Sequence, residues 1–543
     1  MNNSVFQFGL PDNEAVLSYA PGSSERAQLK AELERQAKDV VEIPLIIGGR
    51  EVRTGRMVDV VMPCDRRHVL ARCHLAGERE VQLAIDAALA AKAEWSKISW
   101  VERASIQLKA AHLLATRYRQ VINAATMLGQ GKNAFQAEID SACETIDFLR
   151  YNAHFAGQIY ANQPRSTPEQ LNRMEYRPLE GFVFAVTPFN FTSIASNLNM
   201  SVALMGNTTV WKPATTALLS NYHLMRVFME AGMPPGVVNF LPGRGADLSK
   251  VILAHRDFGG IHFTGSNATF NGLWQEVGQR LAQYRSYPRL VGETGGKDFI
   301  FAHGSADPEA VATAIVRGAF EYQGQKCSAP SRAYLPRSLW PRIREAAVTM
   351  LKRVRMGDPR DFSCFMNAVI DEPSFDRITG AVAAARADSG VEVVFGGGGD
   401  KSVGYFIEPT ILRVSDPRHK LMQEELFGPV MSVFVYEDAQ FEETLRLCDE
   451  TSPYALTGAV FTQDRYAFVK ASEILRYAAG NFYLNDKPTG AMVGLQPFGG
   501  ARASGTNDKA GGPLNLQRWT SPRAIKETYS PAASFEYPFM AQP

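Results

Sequence analysis

Residues 181–214 read GFVFAVTPFNFTSIASNLNMSVALMGNTTVWKPA. The run FVFAV (182–186) is short, apolar and bounded by glycine and a Thr-Pro step, which predicts a buried strand. IASNLNMSVALMG predicts a helix ending at Gly206, and TTVWK (208–212) a second strand. The alternation continues. LLSNYHLMRVFMEAG is a helix stopped by Gly232 and the prolines after it, VVNFL (237–241) a third strand, DLSKVILAH a helix and GIHFT (260–264) a fourth strand. Strands alternating with helices at this length predict an α/β fold, a doubly wound and mostly parallel sheet. In such sheets a ligand sits beyond the carboxyl ends of the strands. The residues that follow each strand are therefore the first candidates for chemistry.

A second alternating block runs from about 290 to 485, with the strand FIFA, the helix PEAVATAIVRGAFEY, the strand RAYLP and the strand VMSVFVY. Gly396 to Gly399 mark a turn, because no strand–glycine–helix order surrounds them. Upstream, residues 25–160 carry apolar positions at helical spacing in QLKAELERQAKDV, EVQLAIDAALAAKAEW and AEIDSACETIDFLRYNAHFA. Between these blocks ANQPRSTPEQLNRMEYRP (161–178) is polar and broken by prolines, an excursion from the compact body.

The chain has 543 residues, 45% hydrophobic and 21% charged, with a formal net charge of +1. That length suits roughly three or four domains. The balance offers no general electrostatic case for nucleic acid or an anionic membrane. No apolar run approaches the ~18 residues needed to cross a bilayer. The N-terminal segment lacks an apolar signal core and carries Asp12 and Glu14 before its first arginine, Arg26, which predicts a cytoplasmic protein; a matrix protein with its leader removed would read the same. The six cysteines form no CxxC pair and no metal knuckle, so a reducing compartment and no metal site are expected.

Among those cysteines Cys327, in EYQGQKCSAP (321–330), alone lies in a polar, glycine-bearing loop next to a cation, Lys326. A nearby positive charge favours thiolate, which makes Cys327 a candidate nucleophile. Cys143 and Cys448 fall in amphipathic helices, as small apolar fillers. Asn190, in TPFNF, carries an amide able to donate to an oxyanion, or is an ordinary turn residue. Glu293, in LVGETGGKD among Gly292, Gly295 and Gly296, is a candidate general base or a solvent-facing carboxylate. Lys212 ends the strand TVWK, pointing to the ligand edge or to solvent. Gly265 and Ser266, in FTGS, open a helix; their N–H groups suit a phosphate, or Ser266 is a simple N-cap. The nearest G-x-G, Gly243–Gly245, lacks its third glycine.

In order along the chain come TPFNF, VWKPA, FTGS, ETGGKD, GQKCS, EELFGPV (424–430) and PFGGARASG (497–505). This ordered set resembles the aldehyde dehydrogenase superfamily over almost the whole length, and is most similar to its branch that oxidises glutamate γ-semialdehyde. The resemblance implies a Rossmann-like NAD-binding domain (1–160 and 179–289), an α/β catalytic thiol domain (290–485), a small β oligomerisation flap (161–178 and 515–543) and a substrate anchor loop returning to the NAD domain (486–514). It implies Cys327 as nucleophile, Asn190 with the Cys327 N–H as oxyanion donors and Glu293 as base for hydrolysis of a thioester. For NAD it implies Lys212 and Glu425 at the riboses, Phe427 beside the nicotinamide, Ser266 and Gly265 at the pyrophosphate, and Pro188 in the wall. A homodimer or larger homo-oligomer follows from the flap, and a functional link to proline dehydrogenase from the pathway.

For the substrate, the resemblance puts the Gly490 and Ala491 N–H groups and the Ser328 hydroxyl at the α-carboxylate, Glu144 at the ammonium, and Phe191 and Phe498 along the methylenes. Asp140, Glu144 and Asp147 share a helix face by their i, i+4, i+7 spacing; Asp140 and Asp147 are expected to be solvated. Two departures from the family stand out. Ala491 stands where the branch often has serine, and Ala214 and Thr215 fill positions where serine and glutamate often select NAD over NADP. A dehydrogenase of another small semialdehyde, such as succinate semialdehyde, and a non-catalytic dinucleotide-binding relative remain open alternatives.

Overall fold

The computed structural model describes residues 6–542. The first five residues of the N-terminal segment discussed above, and Pro543, lie outside them.

The opening stretch forms the centre of a seven-stranded sheet. Its order is Arg289–Glu293, Phe258–Thr264, Phe182–Val186, Thr209–Lys212, Val238–Phe240, Leu45–Ile47 and Arg50–Val52. The first five are parallel, and the last two add antiparallel at the edge. The strands Phe182–Val186 and Phe258–Thr264 are nearly continuously apolar because helices cover both faces. Phe182, Phe184, Val210, Ile261 and Phe263 belong to one core cluster with Val81, Ala84, Ile85 and Ala88 of the helix Glu78–Trp95.

The second block builds another seven-stranded sheet, with Val430–Tyr436, Pro330–Pro336, Asp298–Ala302 and Thr457–Phe461 at its centre. It is parallel except at the edge strand Val391–Phe395. The helix Pro308–Phe320 packs its Val311, Ile315 and Phe320 against this sheet.

The excursion contains the strand Gln170–Pro178, which pairs antiparallel with Thr520–Thr528 over nine residues. Alternate residues of the first strand face solvent from Arg173 on, while the second is exposed at most positions after Ser521. The tail departs from the compact body only at Thr520, not at 515: Leu516 and Trp519 are fully buried with Leu179, Val183 and Val291. The region 41–74, read within a helix-rich segment, instead holds the three-stranded sheet Val41–Ile43, Asp65–His74 and Met57–Met62. Its half-exposed residues include charged positions that mask the strand periodicity. No helix among the described residues is long and apolar enough to cross a membrane.

Candidate active site

Cys327 sits in the turn between the short 3-10 helix Glu321–Gly324 and the strand Pro330–Pro336, at the junction of two cavities. One is lined by Glu144, Phe191, Glu293, Ser328, Gly490 and Phe498 among others. The second is lined by Pro188, Asn190, Lys212, Ser266, Glu425 and Phe427. Cys327, Phe263 and Thr264 belong to both walls. The residues brought forward from the sequence thus divide between two spaces that meet at one thiol.

The turn is held from all sides. Tyr322 and Gln323 adopt left-handed backbone conformations, φ +50° and +54°. Gln323 offsets this strain with three hydrogen bonds: its amide donates to the Gly131 and Ala368 carbonyls, and its oxygen accepts from Asn367 N–H, each at 2.9 Å. Gln325 accepts from Ile370 N–H at 2.9 Å, and its carbonyl accepts from Asn190 Nδ2 at 3.0 Å. Asn190 is therefore buried and oriented beside the thiol, not a free turn residue.

The sequence reading of Lys326 requires correction. Its ammonium does not serve the neighbouring thiol; it lies 3.1 Å from Asp140 Oδ2. Burial pushes the Cys327 thiol well above its usual range, and Asp298, Glu293, Glu425 and Glu144 push the same way. Asp140 and Asp147 are likewise not solvated. Asp140 also pairs with the fully buried Lys132 at 2.8 Å. Burial opposes its charge, yet the two lysines hold Asp140 below the usual carboxylate range. Asp147 is buried beneath the N-terminal segment, accepting from Asn13 Nδ2 at 2.8 Å and Glu14 N–H at 2.7 Å. The cause lies partly in a π-helical turn, Glu138–Cys143, which precedes the helix Glu144–Ala161 and breaks the simple helical face.

Glu293 is the last residue of its strand, not a loop residue. Its carboxylate accepts from Gly500 N–H at 3.3 Å. Burial raises it well above the usual carboxylate range; Gly500 and Lys509 oppose that shift. Glu144 accepts from Ser193 Oγ at 2.8 Å and is pushed up to about 8, by burial first and Asp140 second. Ser328 Oγ donates to the buried Thr489 Oγ1 at 3.1 Å. Thr489, which belongs to no motif, ties the thiol turn to the anchor loop. The Phe191 ring lies 4.3 Å from Lys132 Nζ and 5.8 Å from Lys326 Nζ, a cation–π arrangement as well as a cavity wall. Phe498 is fixed by reciprocal backbone bonds with Ala510, at 2.9 and 2.8 Å.

In the other cavity Lys212 ends its strand, and burial lowers its ammonium. Gly265 N–H donates to the Glu293 carbonyl at 3.2 Å. Ser266 is the N-cap of the helix Asn267–Gln279, accepting from Thr269 N–H at 3.3 Å, and it also borders the cleft. Glu425 accepts from Gly296 N–H at 2.8 Å and is pushed up to about 7 by burial. Phe427, itself at φ +50°, meets Phe189 edge-on at 5.8 Å. Ala214 borders the same cleft.

Comparison with known proteins gives a consistent result. Residues 51–525 match the aldehyde dehydrogenase family. The mitochondrial delta-1-pyrroline-5-carboxylate dehydrogenase of Dictyostelium discoideum is 50% identical, covering 98% of this chain and 96% of its own length. The human mitochondrial enzyme of that name is 48% identical, covering 97% of this chain and 94% of its own. Among solved structures, the Mycobacterium tuberculosis delta-pyrroline-5-carboxylate dehydrogenase bound with NAD superposes with a TM-score of 0.96 at 50% identity, covering all of both chains. Proline utilization A from Bdellovibrio bacteriovorus superposes at 0.91 and 29% identity, over 96% of this chain and 54% of that one.

Proposed function

We propose, from the premise that the chain belongs to the aldehyde dehydrogenase family, an account of what its two cavities do around one thiol. The chain is an NAD-dependent dehydrogenase that oxidises L-glutamate γ-semialdehyde, the open form of delta-1-pyrroline-5-carboxylate, to L-glutamate. The observation that carries the mechanism is the position of Cys327 on the wall of both cavities. Only there do an aldehyde from one side and a dinucleotide from the other meet a nucleophile.

The second cavity fits NAD. It offers a lysine at a strand end, free first-turn N–H groups of a helix for the diphosphate, a carboxylate for ribose hydroxyls and two aromatic rings beside the thiol. When bound, the dinucleotide supplies the two-electron oxidant that accepts hydride from the substrate carbon. The protein supplies the rest. Cys327 Sγ, its proton passed to water, bonds to the aldehyde carbon, and the carbonyl oxygen becomes an oxyanion. The Asn190 amide and the Cys327 N–H donate to it. After hydride loss the carbon is a thioester. Glu293 takes a proton from water, the resulting hydroxide adds to the thioester carbon, and the thiolate leaves with glutamate released. At the far end of the methylenes, Glu144 pairs with the ammonium, while Ser328 and the Gly490 and Ala491 N–H groups meet the carboxylate. Phe191 and Phe498 line the chain between.

The finer organisation is part of the same reading. The cofactor part comprises 1–160 and 179–289, the catalytic part 290–485 and the anchor 486–514. The paired strands at 170–178 and 520–528 form a flap laid on a second copy, supported by their solvent-facing length outside the core. The match to proline utilization A supports a working link to the enzyme that forms the substrate from proline. Six free cysteines support a reducing compartment, the cytoplasm or a mitochondrial matrix. Incubation with delta-1-pyrroline-5-carboxylate and NAD, following absorbance of the reduced cofactor, tests the reading. Turnover is expected; no signal with that substrate or with simple aldehydes would overturn it.

A further inference from the structure

The segment before the helix Ser24–Lys38 lines a space that adjoins the substrate cavity and shares Glu144, Lys326, Gly490, Ala491 and Val493 with it. Residues 13, 14, 15, 17 and 19 are each bonded to the stretch 119–150. Glu14 is paired with Arg119 at 2.5 Å and Arg150 at 2.7 Å. Arg119 donates to the Ala15 carbonyl at 2.6 Å. Leu17 N–H donates to Glu138 at 2.9 Å, and Tyr19 OH to the same carboxylate at 2.8 Å. An arm held this tightly is a fixed part of the body.

Asn13 is the residue through which that arm reaches the anchor loop. Its Nδ2 donates both to Asp147 Oδ2, at 2.8 Å, and to the Val493 carbonyl, at 2.9 Å. Its Oδ1 accepts from Tyr151 OH at 3.2 Å. A single amide thus bonds the arm, the helix Glu144–Ala161 and the loop. Val493 is itself buried against Phe148 and Tyr151. The next residue, Gly494, has φ +81°, and a Cβ there would enter the Tyr151 ring. The loop is therefore clamped two residues beyond Ala491. On its other side the Lys487 ammonium donates to the Thr489 carbonyl at 2.9 Å, and Ser328 to the Thr489 hydroxyl. Gly490 and Ala491 lie between these two fixed points, and their N–H groups donate to no protein acceptor among the described residues. Glu14, Val16 and Asp147 line one space with Glu144, Lys326, Gly490, Ala491 and Val493.

We propose that Asn13 is a positioning residue for the substrate's carboxylate: by clamping Val493 it sets the direction of the Gly490 and Ala491 N–H groups and so selects for aldehydes that carry an α-carboxylate. This rests on the proposed reading of the cavity. Two N–H donors aimed at one carboxylate lose most of their effect if the loop moves by a fraction of a hydrogen-bond length. The arm touches neither the thiol nor the cofactor cleft, so the effect belongs to one substrate class.

The experiment measures kinetics of the full-length protein, wild type and Asn13→Ala, with delta-1-pyrroline-5-carboxylate and with butanal, each against NAD. Asn13→Asp, which keeps the acceptor toward Tyr151 but removes the donor toward both Val493 and Asp147, is the second variant. The expected result is a KM for the carboxylate-bearing substrate raised about tenfold in both variants, with kcat little changed. The KM for NAD and kcat/KM for butanal stay at wild-type values, so that a general loss of stability is told apart from a loss of carboxylate recognition. An unchanged KM, or equal losses with both aldehydes, overturns the proposal while the dehydrogenase reading stands. Inactivity of the wild type toward delta-1-pyrroline-5-carboxylate overturns the reading itself and this inference with it.

Discussion

Asp140 holds the Lys326 ammonium 3.1 Å from its carboxylate, one residue before the nucleophile, and the same Asp140 oxygen holds the buried Lys132 at 2.8 Å. Two cations therefore share one anion inside the protein, with the Phe191 ring over both. Replacing Asp140 by alanine leaves two buried ammonium groups without their partner, and breaking a buried pair this way costs about 3–5 kcal/mol. Asp140→Ala is expected to lower the apparent thermal midpoint by several degrees at a fixed scan rate, and Asp140→Asn, which keeps an acceptor, by less. A midpoint unchanged in both would show that Lys132 and Lys326 are uncharged or solvated.

Glu144 faces the substrate cavity, and its charge depends on its surroundings. Burial and Asp140 raise it to about 8, so in the free enzyme it is largely protonated at neutral pH and ionised above about 8. An ammonium-bearing substrate binds the ionised form. kcat/KM for glutamate semialdehyde should therefore rise with pH through the region of about 8, beyond the change seen with butanal. Glu144→Gln removes that extra limb and lowers kcat/KM about a hundredfold, in line with the ~2–5 kcal/mol of a truncated buried charge pair. Succinate semialdehyde, which has no ammonium, should react with Glu144→Ala nearly as with wild type. An equal fall for both semialdehydes would mark Glu144 as a structural residue.

The division of labour between Cys327 and Glu293 is separable in time. Cys327→Ala should abolish turnover and leave NAD binding intact, read by fluorescence titration. Glu293→Gln should still form the thioester and then stall. Mixing it with both substrates predicts a burst of about one equivalent of reduced cofactor per site, followed by a slow phase. A linear trace with no burst would place Glu293 before hydride transfer.

The fold is legible because its strands are buried on both faces and so read as short apolar runs: Phe182–Val186 is visible directly, and Phe258–Thr264 from residue 260 on, its first two positions being hidden by Gly259 and Gly260. The strands between 41 and 74 are not, since short strands with mixed exposure leave no clean period. At the site, motif order brings forward Cys327, which lines both cavities, Asn190, which lines the cofactor cleft, and Glu293, which lines the substrate cavity. What local sequence hid was partnership across distance. Asp140 looked solvated because its partners, Lys132 and Lys326, are not its helix neighbours, and a π-turn rotates the face that the 3.6 period assumes. Lys326 looked like a thiolate partner for the same reason: adjacency in sequence says nothing of where a long side chain ends. Thr489 and Asn13 carry no motif, and only the folded chain sets them beside Ser328 and Val493.

Gly295 makes room for Glu425. A Cβ at Gly295 would fall on the Glu425 carboxylate, which accepts from Gly296 N–H. Gly295→Ala forces that side chain out of its place in the cofactor cleft. The KM for NAD should rise roughly tenfold, the size expected when a hydrogen bond to a charged group, ~1.5–3 kcal/mol, is partly lost. The KM for the aldehyde should stay within twofold, since the substrate lies in the other cavity. A change confined to the aldehyde would place Glu425 in the wrong cavity.

Ala491 offers the anchor loop a backbone N–H but no side-chain donor. The backbone around it is already fixed, by Thr489 on one side and by the Asn13 bond to Val493 on the other. Ala491→Ser therefore adds a donor to a formed site and asks little further ordering of it. A hydroxyl donating to a carboxylate contributes about 1.5 kcal/mol or somewhat more net, or roughly tenfold in affinity, and holding one serine rotamer offsets part of that. The expected outcome is a KM for glutamate semialdehyde lowered about three- to tenfold, with kcat and the KM for NAD unchanged. In the Asn13→Ala background the same substitution should gain less, because the loop that presents the new hydroxyl is no longer clamped. An equal gain in both backgrounds would show that residue 491 meets the carboxylate independently of the arm.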